Sequence, residues 1–228
     1  MSLRAAIHQV RTADEELAGG LPLSARGLEA VIAGGFLGLE RTDWVVPGLR
    51  ERVGGVLRKC PLSRLQRPGA GARPYRIAPV SASPANRLLH ACGLAMAGEQ
   101  VLVFLGQGSA SYGAFHEALN LAALHRLDII FMVSCWDLDH PESPLARQVA
   151  GSLTAKALAY GLRSRTVDGG LVTEVLNAVT DARAQGGPHL IEARLVRGDD
   201  PLARAYDELT ETEPHEANAG NPVRPEVA

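Results

Sequence analysis

Residues 99–136 read EQVLVFLGQGSASYGAFHEALNLAALHRLDIIFMVSCW, and this stretch decides the fold. Val101 to Leu105 is an unbroken apolar run, too short for a helix and ended by Gly106, so it reads as a strand buried on both faces. Gly106, Gly108 and Gly113 punctuate a Gly/Ser turn. Phe115, Ala118, Leu119, Ala122 and Leu124 then recur at helical spacing, which predicts a helix facing one core. Ile129 to Val133 is a second buried strand. Strand, turn, helix and strand in this length make one right-handed βαβ unit, and the fold class is α/β with a mostly parallel sheet covered by helices on both faces.

The turn after the first strand sits at a carboxyl end, where open α/β sheets bind ligands. Gly106-Gln107-Gly108 there would let backbone N–H groups approach a phosphate, although such glycines also serve turn conformation alone. Further residues narrow the reading. Gly106-Gln107-Gly108, Gly113, Phe115-His116-Glu117-Ala118-Leu119-Asn120, Ala122-Ala123 and Phe131 resemble the diphosphate-binding unit of thiamine-diphosphate-dependent 2-oxo acid dehydrogenases, in their alpha subunit. The resemblance implies a thiamine-diphosphate-binding fold.

The similarity extends over residues 27–208. Gly27-Leu28-Glu29-Ala30 is similar to the family's Gly-Gln-Glu-Ala, and Asp43-Trp44-Val45 with Leu49-Arg50 to its Asp-Asp-Trp-Val followed by Tyr-Arg. His90-Ala91, Gly93 and Ala95 match the helix before the central strand. Ala159-Tyr160-Gly161, Val167-Asp168-Gly169, Gly187-Pro188 with Leu190-Ile191-Glu192-Ala193, and Asp199-Asp200-Pro201 follow in the family's order.

Set against the family pattern, the site positions are Arg50, Gly106, Gln107, Gly108, Ser109 and Trp136, and they are degenerate. The family opens this unit with Gly-Asp-Gly and closes it with Asn-Asn, where this chain has Gly106-Gln107-Gly108 and Cys135-Trp136. Magnesium wants oxygen ligands, and an indole has none. Leu49 replaces a tyrosine, the Gly-rich segment ending in Met-His is missing between Arg50 and Ser83, and the His-Ser loop is reduced to Arg197-Gly198. Those histidines are the family's acid/base and substrate groups, so no catalytic residue is assigned.

The expectation is therefore an alpha-like protein without bound metal or cofactor that serves as a non-catalytic assembly subunit. The alternative is a working alpha half of a 2-oxo acid dehydrogenase or decarboxylase, holding thiamine diphosphate with magnesium. The family's site lies between this domain and a beta-type domain, so the resemblance implies a beta-type partner chain or copies of the chain itself. His116, Glu117 and His90 are read as structural, Trp136 as filling the vacated pocket, and Cys135 as unreactive for want of a base.

Composition agrees. At 228 residues and 46% hydrophobic content the chain can bury a full core. A net charge of −2 argues against a general nucleic-acid binder, and no apolar run reaches 18 residues, which predicts no membrane span. The opening MSLRAAIHQVRTADEEL lacks the apolar core of a signal peptide. Cys60, Cys92 and Cys135 show neither metal spacing nor a disulfide framework, which places the chain in a reducing cytoplasm.

Along the chain, Leu3, Ile7, Val10 and Leu17 predict an amphipathic helix. Ser24 is read as the cap of a second helix, Ala25 to Leu39, and Thr42 to Pro47 as a connection. Leu49, Val53, Val56 and Leu57 mark a third helix. Residues 48–76 carry eight basic residues against Glu51 and read equally as a solvated face or as an anion or acidic-partner site. Ser83-Pro84 starts a helix running to Gly98. Helices over Thr154–Tyr160 and Leu171–Ala184 alternate with strands at Arg165–Val167 and Pro188–Val196, and residues 137–148 form a polar loop. The domain spans 1–206, with N-terminal helices in 1–60, a basic loop in 61–82 and the βα core in 83–198. The acidic tail, 207–228, is expected to lack a packed structure.

Overall fold

Val101–Gly106 and Ile129–Trp136 are adjacent parallel strands inside a five-stranded sheet, and their apolar side chains alternate between two separate cores. The structure is a computed structural model, and it describes residues 1–17, 24–67, 69, 71–81, 83–136 and 152–212. In chain order the elements are α1 (Leu3–Leu17), α2 (Glu29–Leu37), β1 (Trp44–Val46), a 3-10 helix (Glu51–Arg58), the short α3 (Leu62–Leu65) and α4 (Pro84–Met96). Then come β2 (Val101–Gly106), α5 (Gly113–His125), β3 (Ile129–Trp136), α6 (Leu153–Ala159), β4 (Arg163–Asp168), α7 (Val172–Gln185), β5 (His189–Leu195) and α8 (Pro201–Thr212).

All neighbouring strands are parallel, in the order β1-β2-β3-β5-β4. The period of two in a strand divides the apolar runs. Leu102, Phe104, Ile130 and Met132 share a core with residues of α1, α2, α7 and α8, and Val103, Leu105, Ile129 and Phe131 share the other with α4, α5 and α6. The chain steps from β1 to β4 with the crossover helices α4, α5 and α6 on one face and returns from β4 to β5 through α7 on the other. One hand of crossover requires that change of face when the direction of travel reverses.

The return lays α7 against α2, and glycine sets their separation. A methyl group on Gly34 would lie 2.7 Å from the Cβ of Val175, and one on Gly38 equally close to that of Val179. Side chains there would push the two helices apart.

Several expectations need correction. Helix α2 begins at Glu29, and Ser24 caps nothing in it: the Ser24 hydroxyl donates to Asp14 Oδ2 at 2.7 Å, holding the preceding turn to α1. Residues 44–46, expected as connection, pair with β2 as its edge neighbour. The helix expected around Val53 is of the tighter 3-10 type. Leu124 projects outward at 72% exposure, and His90, read as structural, is also exposed. The basic segment is not one solvated face, because Arg52 and Arg58 are buried. Arg58 Nη1 donates to the carbonyls of Asp43 at 2.7 Å and Tyr75 at 3.1 Å, and burial pushes its pKa down to about 10. Helix α8 carries structure across residue 207 as far as Thr212. The polar loop expected at 137–148 and the tail from 213 lie outside the described residues. Among the described residues no helix is long and apolar enough to cross a membrane.

Candidate functional site at the carboxyl edge of the sheet

Gly106 of β2 pairs with Ser134 of β3, so the turn after β2 and the last residues of β3 emerge side by side. Gln107, 8% exposed, turns its side-chain Oε1 to accept the backbone N–H of Trp136. Gly108 is exposed and Ser109 buried in the same turn. The Trp136 side chain projects to the α2 side of the sheet, where its ring lies over Gly27. Gly27 has φ +82°, and a methyl there would meet Trp136 Cη2 at 2.6 Å, so both its backbone and its neighbour demand glycine.

A crevice of about 520 Å³ opens at this edge. Trp136 forms one wall, Arg26 and Gly27 a second, Arg50 a third and the loop Arg197–Asp200 a fourth, with Arg11 reaching in from α1. Arg11 is the clasp of the site. Its Nε donates to Glu29 Oε1 at 2.9 Å, and its two terminal nitrogens donate to the carboxylate of Asp200 at 2.6 and 3.2 Å. Glu29 Oε2 in turn accepts the N–H of Gly27 at 2.7 Å. The hydrogen bonds from Arg11 hold the Asp200 carboxyl below its usual range, and those to Asp200 raise the Arg11 guanidinium. Arg204 of α8 makes a second clasp, donating to both oxygens of Asp168 at 3.0 and 2.8 Å and to Asp199 at 2.7 Å.

Of the sequence-predicted site residues, Arg50 and Trp136 line the crevice and Gln107 is tied to Trp136. Gly106, Gly108 and Ser109 form the adjoining turn and are not part of its walls. The sequence reading missed Arg11 and Arg26, and it named Arg197 only as the remnant of the family's His-Ser loop. Gly27, Glu29, Asp199 and Asp200 were visible in the family pattern, but nothing in their spacing shows that one arginine joins Glu29 to Asp200. The buried Glu192 acts structurally, since its Oε2 accepts the N–H groups of Leu153 and Thr154 at 2.9 and 3.2 Å, at the start of α6. His116 Nδ1 lies 2.9 Å from the Tyr160 hydroxyl, and Glu117 is exposed. Cys135 is fully buried, and burial drives its thiol far above the ordinary range, the opposite of an activated nucleophile. Among the described residues no cluster of three His, Cys, Asp or Glu side chains is placed to hold a metal.

The chain is similar to known proteins in sequence and in fold. The profile of the dehydrogenase E1 component family matches residues 4–201. The chain is 34% identical over 217 residues to a 3-methyl-2-oxobutanoate dehydrogenase subunit alpha of Mycobacterium tuberculosis, covering 81% of this chain and 57% of that one. It is 31% identical over 227 residues to the 2-oxoisovalerate dehydrogenase subunit alpha of Bacillus subtilis, covering 83% and 68%. It thus spans little more than half the length of the first of these relatives. Among solved structures, a transketolase from Pichia stipitis superposes with a TM-score of 0.64 at 18% identity, over 86% of this chain and 36% of that one. A transketolase from Campylobacter jejuni gives 0.63 at 17% identity, over 85% and 37%. The fold is the α/β fold of thiamine-diphosphate enzymes, and the chain belongs to the dehydrogenase E1 component family, on its alpha-subunit side.

Proposed function

We propose that the chain is an alpha-type subunit of a 2-oxo acid dehydrogenase that has lost magnesium-thiamine diphosphate binding and serves as a non-catalytic assembly partner of a beta-type chain. The bond between Gln107 and Trp136 carries this reading. Where the family pattern has an aspartate, the chain has a neutral amide whose carbonyl oxygen already accepts an N–H. Where the pattern has an asparagine, it has an indole resting on Gly27. These residues do not fit a magnesium ion bridging a diphosphate. The relatives bear the name of alpha subunits, which supports a beta-type companion. Exposed apolar side chains on α4 and α5, among them Met96 and Leu124, support association with it or with further copies of the chain.

The second reading, a working alpha half, draws on Arg50, Gly27 and the Asp199-Asp200 pair meeting at one crevice as members of the family pattern. Calorimetric titration of magnesium-thiamine diphosphate into the chain with its beta-type partner separates the two. No binding beyond that of the partner alone is expected. Micromolar, magnesium-dependent binding together with decarboxylation of a 2-oxo acid would establish the working half instead.

A further inference from the structure

Residues 196–212, the loop after β5 together with α8, are fastened to the fold more by charge than by apolar burial. Among the described side chains of this segment, Pro201 and Ala205 are buried and Leu202 is partly buried against the core that holds α1 and α2, while Val196 turns outward. Two long-range ion pairs supply the rest. Arg11 of α1 holds both oxygens of Asp200, and Arg204 of α8 holds both oxygens of Asp168 at the end of β4. A longer bond runs from Arg4 Nε to the Ala205 carbonyl at 3.4 Å. The two pairs differ in which half would stay behind. Arg11 is also bonded to the buried Glu29, which keeps it with α1 and α2 when Asp200 leaves. Arg204 is also bonded to Asp199, five residues before it, so it leaves with the segment. Asp200 Oδ1 accepts the Leu202 N–H at 2.9 Å, a cap that holds the start of α8 together when the segment is free.

We propose that residues 196–212 form a strap that lifts from α1 and α2 as one unit while the sheet stays folded, with Arg11–Asp200 and Arg204–Asp168 as its two latches, and that lifting removes the wall of the crevice formed by Arg197–Asp200. A segment with little buried apolar surface opens at a lower free energy than the core. Two-pronged guanidinium–carboxylate pairs are stronger than single surface contacts, which makes them suitable latches. Their carboxylates remain within reach of solvent, Asp200 at 44% and Asp168 at 40% exposure, so dissolved salt weakens them. Strands β2 and β3 instead carry buried apolar side chains on both faces, and salt does not loosen that packing. Ionic strength therefore controls access to the crevice, and α1, at the other end of the chain, carries one of the two latches. The strap stands apart from the loss of the cofactor and holds whichever reading of function is correct.

The test is amide hydrogen exchange of the full chain, at low ionic strength and in about 1 M sodium chloride, where the screening length falls to ~3 Å. Salt should speed exchange of amides 202–205 by at least about tenfold and leave those of β2 and β3 unchanged. Arg11→Met and Arg204→Met should each speed exchange at 202–205 relative to β2 and β3 already at low salt, and blunt the further effect of salt. Arg165→Met, which breaks an exposed pair with Asp181 between β4 and α7, should behave as wild type. Access to the crevice is read from Trp136, the single tryptophan in a Trp44→Phe background. Acrylamide quenching of its fluorescence should rise with salt and with either latch variant. No selective rise at 202–205 in the wild-type chain under salt would overturn the strap, and that measurement needs no variant to fold. A rise that neither latch variant reproduces at low salt would overturn the two latches. Faster exchange with Trp136 quenching unchanged would overturn the control of the crevice.

Discussion

The backbone N–H of Trp136 donates to the side-chain carbonyl of Gln107, joining the last residue of β3 to the first residue after β2. A carboxylate at position 107 could accept the same N–H and would leave the indole where it is. Gln107→Asp alone is therefore expected not to create magnesium-thiamine diphosphate binding. Recovery of micromolar, magnesium-dependent affinity in calorimetry by this one change would show that Trp136 does not stand in a ligand's place.

Arg52 is 2% exposed, and all three of its guanidinium nitrogens lack a hydrogen-bond partner among the described residues. Burial pushes its pKa down, with only the charge of Asp14 opposing. A buried charge without hydrogen bonds opposes folding, and methionine keeps most of the packing volume. Arg52→Met is expected to stabilise the chain by about 1–3 kcal/mol, read from the urea midpoint at unchanged slope. A loss of stability would mean that the guanidinium is satisfied by a group not seen in its surroundings.

Close approach of α2 and α7 makes Gly34 a sensitive position. Its added methyl would meet Val175 Cβ at 2.7 Å and the backbone nitrogen of Leu176 at 2.9 Å, so backbone as well as side chain must yield. Gly34→Ala should cost about 1–3 kcal/mol despite the better helix propensity of alanine. A rise in melting temperature would contradict that packing.

Acid stability depends on the second clasp. Burial alone would raise the Asp168 carboxyl, but the hydrogen bonds from Arg204 and the Gly170 N–H outweigh it and bring the pKa below the ordinary value of 3.8. The unfolded state then binds more protons, so this contribution is complete above the ordinary value and fades as pH falls through the native one. Arg204→Met should lower the urea midpoint near neutral pH and flatten its decline between about pH 5 and pH 2. A decline as steep as that of wild type would assign acid unfolding to other carboxylates.

How far the sequence could be read depended on where each residue's partners lie. The strands β2 and β3 were legible because a buried parallel strand is apolar at every position. Helices α1, α4 and α7 were legible from spacing and stop signals. Strand β1 was not: three residues between Asp43 and Pro47 are too few to show a period, and only pairing with Val101–Val103 makes them a strand. Arg58 read as part of a basic run, either solvated face or anion site, because its acceptors are main-chain carbonyls, which no side-chain pattern reveals. In the site, Gln107 and Trp136 were legible as departures from a pattern, whereas their mutual bond was not. Leu124 follows the helical apolar spacing yet faces outward, since periodicity fixes a stripe and not its edges.

The small-residue helix α2 is consumed within the chain by α1 and α7. The unclaimed apolar surface lies on the opposite layer, where Met96 is 55% and Leu124 72% exposed. Sedimentation at micromolar concentration is expected to show species larger than a monomer, and Met96→Glu with Leu124→Glu should shift them toward monomer. A monomer that binds no hydrophobic dye would contradict this.

Arg11 and Asp200 are separated by 189 residues, which gives the clasp a meaning during synthesis. A ribosome adding about 5–20 residues per second delivers Asp200 roughly 10–40 s after Arg11. Through that interval the nascent chain can pair Arg11 with Glu29, but the loop that closes the crevice has yet to be made. The crevice is thus completed only after β5 has been delivered, and a chain released before residue 200 would carry the strands of the sheet with an unfinished edge.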